Sequence, residues 1–104
     1  MLSVTHFAPT DESFTERAST ALQALAQQPG YLRGTLARST DDDTWVLVTH
    51  WQNVGSYRRA LGSYEVKLHA TPLLAEAIDL PTSFEELVEV APDGATILRE
   101  SDRA

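Results

Sequence analysis

Residues 44–57, TWVLVTHWQNVGSY, decide how the chain folds. The first eight carry Trp45, Val46, Val48, Thr49 and Trp51, aromatic and β-branched side chains that suit a pleated strand. Alternation puts Trp45, Leu47 and Trp51 on one face of that strand and Val46 and Val48 on the other. A strand with no wet face must be covered on both sides. Asn53 then reads as a helix cap, and Tyr57, Ala60 and Leu61 follow at helical spacing. The strand therefore ends in a Trp and passes through a tight connection into a helix whose first turn carries a Tyr. In so short a chain, its own helices cover one face and a second copy covers the other.

Upstream, Leu2 to Phe7 alternates as a short strand, with Leu2, Val4 and His6 on one side and Ser3, Thr5 and Phe7 on the other. Pro9 stops it. Thr10 or Asp11 caps a helix that runs to about Gln28, with Phe14, Ala18, Ala21, Leu22 and Leu25 as its apolar face. Pro29-Gly30 ends that helix, and Tyr31 to Ser39 is a second strand with Leu32, Gly34 and Leu36 facing one way. Gly34 marks a bulge or a close approach. Thr40-Asp41-Asp42-Asp43 is a polar hairpin loop, read as a solvated turn and not as a metal site.

Downstream, Gly62-Ser63 interrupts the Asn53 helix, and Tyr64 to Ala70 restarts it with Tyr64, Leu68 and Val66 expected inward. Thr71-Pro72 opens a further turn through Leu73, Leu74, Ala77 and Ile78. Ser83 to Val90 is the last strand of a domain spanning residues 1–91. Residues 92–104 form a C-terminal extension that begins at the Pro92-Asp93-Gly94 turn, with a short strand over 95–98 and a frayed end.

The composition narrows the partners. The 104 residues suit one domain, and 42% apolar with 22% charged residues is ordinary for a globular protein. Cysteine is absent, which excludes disulfides, thiolate metal sites and cysteine nucleophiles. A net charge of −7, from 8 basic and 15 acidic residues, argues against nucleic acid and anionic membranes as partners. The N-terminal MLSVTHFAPT lacks the sections of a signal peptide, so the chain reads as cytoplasmic.

The element order is β-α-β-β-α(α)-β, an α+β ferredoxin-like arrangement with a four-stranded antiparallel sheet and helices on one face. Val46, Val48, Leu32, Leu36 and Val88 are expected on or near the other face, more contiguous apolar surface than a monomer carries comfortably. A homodimer pairing two sheets face to face removes it.

PGYLRGTLARSTDDDTWVLVTHWQNVGSYRRAL, then a His in VKLHATPLL and then PTSFEEL, resembles the antibiotic-biosynthesis-monooxygenase group of dimeric α+β barrels over roughly residues 2–90. The shared pattern is Pro29-Gly30-Tyr31-Leu32, Val48-Thr49-His50-Trp51, Tyr57 six residues on, and His69. The resemblance implies a pocket between sheet and helices and a small aromatic or quinol substrate oxidised without a cofactor. It implies Trp51 as the pocket wall, Tyr57 as a hydroxyl donor and His69 as a holder of substrate oxygens. Cofactor-free members place an Asn four residues before the Trp, where this chain has Leu47. The haem-degrading branch pairs a His at the His69 position with an Asn and a second Trp, where this chain has His6 and Ala60.

Cofactor-free oxygenation needs a dry aromatic pocket, a base or acceptor, and donors for an oxyanion. The candidates are His69, Tyr57 and His6 for catalysis, and Trp51, Leu47, Tyr64 and Leu68 for holding substrate. His50 falls on the strand face opposite Trp51. Three classes follow: a cofactor-independent monooxygenase, a small-molecule or haem binding dimer without turnover, and an accessory dimer whose pocket is plugged by residues such as Leu47.

Overall fold

The computed structural model describes residues 1–103. β1 (Leu2–Phe7), β2 (Tyr31–Arg38), β3 (Trp45–Trp51) and β4 (Ser83–Phe84) form an antiparallel sheet in the order β2-β3-β1-β4. α1 (Phe14–Ala26), α2 (Val54–Leu61), α3 (Tyr64–His69) and α4 (Thr71–Leu74) supply the helical layer. This is the ferredoxin-like α+β fold that the element order implies. No helix among the described residues is long and apolar enough to cross a membrane.

The period-2 pattern fixes which side chains meet the helices. From β1 these are Ser3, Thr5 and Phe7; from β3 they are Leu47, Thr49 and Trp51, all buried. Register pairs Ser3 with Thr49, Thr5 with Leu47 and Phe7 with Trp45. Phe14, Ala18, Ala21 and Leu25 of α1 pack on this face, and the small alanines let the helix lie close. Each large apolar side chain so buried stabilises the fold by roughly 1.5–3 kcal/mol. Leu2, Val4, His6, Val46, Val48 and His50 project from the opposite, open face.

β2 departs from its expected phase. A register shift between Tyr31 and Arg33 inserts one residue, so Tyr31 pairs with Trp51 while Gly34 pairs with Thr49 and Leu36 with Leu47. Leu36 thereby joins the helix-side core and not the open face, and Leu32 sits exposed at the bulge. Gly34 is a close approach as well: a Cβ there would come 2.5 Å from the Tyr31 hydroxyl and 2.6 Å from Leu22 Cδ1.

The helix boundaries follow side-chain chemistry. Asn53 Oδ1 accepts from Ser56 N at 2.8 Å and caps α2, and Ser63 Oγ accepts from Val66 N at 3.3 Å and caps α3. α1 begins at Phe14, later than expected, because the Asp11 carboxylate is taken by Ser13 and Arg17. In α3 the inward residue is Val66. Tyr64 and Leu68, two positions either side of it, therefore point away from the core, at 75% and 52% exposure, and not inward. In the β2–β3 loop, Asp42 Oδ1 accepts from Thr44 N at 2.8 Å, so this carboxylate closes a turn.

The expected strand 83–90 is two strands. β4 pairs with β1, and the chain then leaves the sheet at Glu85–Leu87. β5 (Val88–Val90) and β6 (Thr96–Leu98) pair only with each other, in a hairpin that crosses the boundary drawn at residue 91. Glu85 ties its base by accepting from Ser101 Oγ and Asp102 N, both at 2.9 Å. Glu86 lies 3.3 Å from the Met1 α-ammonium, 3.7 Å from His50 Nδ1 and 3.9 Å from Arg99. Burial by itself raises the Glu86 pKa, but the hydrogen bond from the α-ammonium and the neighbouring charges outweigh it, and the net shift is downward.

These contacts can be tested by unfolding. Gly30 has φ +90° and its Cα faces the Ser56 side chain, so Gly30→Ala combines a left-handed backbone with a clash. It is expected to destabilise the fold by about 2 kcal/mol or more in urea unfolding. Ser56→Gly should restore part of that loss; an unchanged midpoint for Gly30→Ala would contradict the packing. Glu86, its folded pKa depressed, stabilises above the unfolded value near 4.5, and that contribution is lost as pH falls through the folded value. Glu86→Gln should thus be less stable than the parent at neutral pH and equal to it once acid has protonated the folded carboxylate. A gap that persists in strong acid would refute the assignment.

Candidate active site

The helix-side face of the sheet grades from apolar to polar. At one end, the rings of Phe7 and Phe14 lie 5.2 Å apart, and Phe14 and Trp45 lie 5.5 Å apart. At the other end, Trp51 is flanked by two tyrosines, Tyr31 edge-on at 5.4 Å and Tyr57 tilted at 5.5 Å. The bulge delivers Tyr31 to this place, and the first turn of α2 delivers Tyr57.

Hydroxyl groups gather around this second aromatic cluster. Ser3 Oγ donates to the Tyr57 hydroxyl at 3.1 Å in a buried contact, and Trp51 Nε1 donates to Thr49 Oγ1 at 2.8 Å. Thr5 is buried beside them on β1. Burial raises the Tyr31 pKa and keeps its phenol protonated as a donor. The result is a packed cluster of indole and phenol rings whose polar atoms are hydroxyls and the Trp51 indole N–H. Trp51 is buried within this cluster by the two tyrosine rings.

The residues singled out in the sequence divide among three places. Leu47, Trp51 and Tyr57 share the helix-side interior at 2%, 1% and 8% exposure, with Leu47 between Thr5 and Leu36 in the strand pairing. His69 lies outside, with Nε2 3.5 Å from Glu65 Oε2, on a groove of about 250 Å³ lined also by Arg17, Thr20, Leu68 and Leu73. His6 projects from the open sheet face, its Nδ1 buried with no hydrogen-bond partner. A larger cavity of about 350 Å³ lies beyond the ends of β1 and β3, lined by Met1, Asn53, Val54, Phe84 and Arg99 among others. Leu47, Trp51 and Tyr57 line neither space. The structure thus unites Leu47, Trp51 and Tyr57 and separates them from His6, His69, Tyr64 and Leu68.

Ser3, Thr5, Thr49 and Tyr31 belong to this cluster although sequence reasoning passed over them. The signal was present: Ser3 and Thr5 alternate with Phe7 on β1, and Thr49 precedes Trp51 by two on β3, so each strand presents its hydroxyls on the same face as its aromatic ring.

A four-stranded antiparallel sheet covered on one side by helices defines a ferredoxin-like α+β domain. The antibiotic biosynthesis monooxygenase family model matches residues 3–71, and the chain belongs to that family. It is 40% identical over 52 residues to deoxynogalonate monooxygenase of Streptomyces nogalater, a match covering 49% of this chain and 44% of that one. The chain thus spans under half the length of this relative. SnoaB of the same organism, described as a cofactor-independent oxygenase, superposes with a TM-score of 0.64 at 30% identity, covering 74% of this chain and 82% of SnoaB. Rv0793 of Mycobacterium tuberculosis shares the fold, with a TM-score of 0.69 at 14% identity over 86% of this chain and 97% of that one.

Removing one hydroxyl tests the cluster without reference to activity. Tyr57→Phe leaves Ser3 without its partner and is expected to cost about 1–2 kcal/mol in unfolding free energy. The Tyr57→Phe and Ser3→Ala double variant should lose less than the sum of the singles, since each single already breaks the shared bond. Additive losses would mean that the pair is not coupled.

Proposed function

We propose that this protein is a cofactor-independent monooxygenase acting on a small hydroxyaromatic or quinol, working as a homodimer through its open sheet face. The observation that carries the reading is the buried Ser3–Tyr57 hydroxyl pair beside Trp51, a polar site set among aromatic rings in an otherwise apolar interior. Family membership and the likeness to SnoaB support it.

The chemistry asks for few groups. An activated methylene flanked by a phenolic ring, the ring hydroxyl ionised, passes a proton to solvent water and becomes a delocalised carbanion. The carbanion reduces oxygen, the two combine as a carbon-bound peroxide, and the peroxide loses water to leave a carbonyl. Overall, the methylene and one dioxygen become a carbonyl and one water. One oxygen atom stays on carbon and the other leaves with the two methylene hydrogens. The substrate supplies every electron, so no external reductant is needed. Trp51 stacks on the ring, and Leu47 walls the side towards the apolar end. The Tyr57 hydroxyl, whose oxygen accepts from Ser3, donates to the developing oxyanion. Tyr31, half-buried at the bulge, is the rim side chain whose rotation admits the ring. His6 and His69 take no direct part, because neither faces Trp51.

The homodimer rests on the open face, where Leu2, Val4, Val46 and Val48 stand side by side without a covering layer. The protein works dissolved in the cytoplasm on this reading, and takes no metal.

Oxygen uptake with anthrones, naphthols and quinols, in the presence of a metal chelator, is the direct test. One oxygen molecule should be consumed per carbonyl formed, and Tyr57→Phe should lower kcat by roughly 100-fold or more, as expected for one lost oxyanion donor. Uptake that is absent with every substrate, or unchanged in both Tyr57→Phe and Trp51→Leu, would overturn the proposal. A Soret band on mixing with haemin that disappears in His69→Ala would favour the alternative of a haem-binding dimer.

A further inference from the structure

The backbone does not require a glycine at position 34. Its φ lies outside the left-handed region, which only Gly30 and Gly94 occupy among the described residues. A glycine inside a strand weakens it and marks a close approach by another group. Here that group is the Tyr31 phenol. A Cβ on Gly34 would come 2.5 Å from the Tyr31 hydroxyl, 2.6 Å from Leu22 Cδ1 and 3.2 Å from Thr49 Cγ2. The missing side chain leaves a hollow on β2, the edge strand of the sheet, between Leu22 of α1 and Thr49 of β3. The Tyr31 phenol reaches into it.

Packing alone holds the phenol there. Its ring meets Trp51 edge-on at 5.4 Å. Burial alone raises its pKa, with no hydrogen bond or charge to offset the loss of water. The Tyr57 hydroxyl, by contrast, is bonded to Ser3. Tyr31 and Gly34 are both half-buried, so the phenol lies at the rim and leaves for solvent without breaking a hydrogen bond. Register sets Gly34, Thr49 and Ser3 in one row across the sheet, so the hollow is in line with the Ser3–Tyr57 pair. Trp51 lines neither cavity, and a ring that reaches it must take space that a side chain now fills. Of the two rings that cover Trp51, Tyr31 is the one with no hydrogen bond to lose.

We propose that the hollow over Gly34 is a subsite for a hydroxyphenyl ring, and that Tyr31 occupies it as the protein's own stand-in until a ligand ring displaces it. This rests on the reading of the helix-side interior as the substrate site, and adds where one ring of the substrate sits and what it competes with. Gly34 determines specificity here. The hollow takes a flat ring carrying an oxygen, as the phenol does, and any side chain at 34 fills it. Tyr31 sets the affinity, because the ligand binds only the fraction of molecules in which the phenol has swung out.

The test is binding of 2-naphthol under nitrogen to the full chain labelled with 3-fluorotyrosine. The ¹⁹F resonance of Tyr31, assigned by its absence in Tyr31→Phe, should move to the position of a solvent-exposed tyrosine as 2-naphthol is added. By calorimetry, Tyr31→Ala should bind 2-naphthol roughly tenfold or more tighter than the parent, because the competitor is gone. Adding Gly34→Ala to Tyr31→Ala should cancel that gain. Binding to the parent that leaves the Tyr31 resonance in place overturns the subsite, and so does a Tyr31→Ala affinity equal to or weaker than the parent's. Binding seen in Tyr31→Ala and not in the parent reports an engineered cavity only, and overturns it too. A parent that binds with Tyr31 displaced yet takes up no oxygen keeps the subsite and removes the monooxygenase reading. Oxygen uptake with Tyr31 still buried keeps that reading and removes the subsite.

Discussion

β3 has no wet face, and the rest of the molecule answers that constraint. Its inner residues, Leu47, Thr49 and Trp51, are sealed by α1, α2 and the aromatic side chains those helices carry. Its outer residues, Val46 and Val48, have no layer of their own. Burying the first set builds an interior, and the second set is the surface that the proposed homodimer covers. Losing Trp51, which touches both tyrosines and holds Thr49, would remove packing of the kind that costs roughly 3–5 kcal/mol when truncated to Ala.

The interior is more than filler because it is not uniform. Phe7, Phe14 and Trp45 pack ring to ring at one end of the single core. The far end replaces aliphatic carbon with Ser3, Thr5, Thr49 and two phenols, which adds desolvation cost that an apolar core avoids. Hydrogen bonds offset part of that cost at Ser3–Tyr57 and Thr49–Trp51. These polar groups are the ones that the proposed reaction uses.

Much of this is legible in the sequence. The strand-to-helix switch at Asn53, the Gly62-Ser63 break and the open apolar face all follow from local propensity and alternation, and the structure has each of them. The phase of β2 is not legible, because one inserted residue at Tyr31–Arg33 moves Leu36 to the other face and no side chain announces it. The exposure of Tyr64 and Leu68 is hidden because a six-residue helix offers too few positions to choose a face, and Val66 takes it. Ser83–Val90 alternates well enough for one strand, yet Glu85 and Glu86 are drawn off by partners distant in sequence. His69, which the resemblance implies as a holder of substrate oxygens, has its ring at the surface beside Glu65, a matter of helix rotation that spacing does not fix.

The central claim is that a flat aromatic ligand binds on the helix side of the sheet, against Trp51. A crystal structure with an oxygen-stable hydroxyanthraquinone tests it most directly. The ring is expected to stack on Trp51, with a ligand oxygen within hydrogen-bond distance of Tyr57 and Tyr31 rotated outward. A ligand seated instead in the groove beside His69, with the Tyr31–Trp51–Tyr57 cluster unchanged, would contradict it.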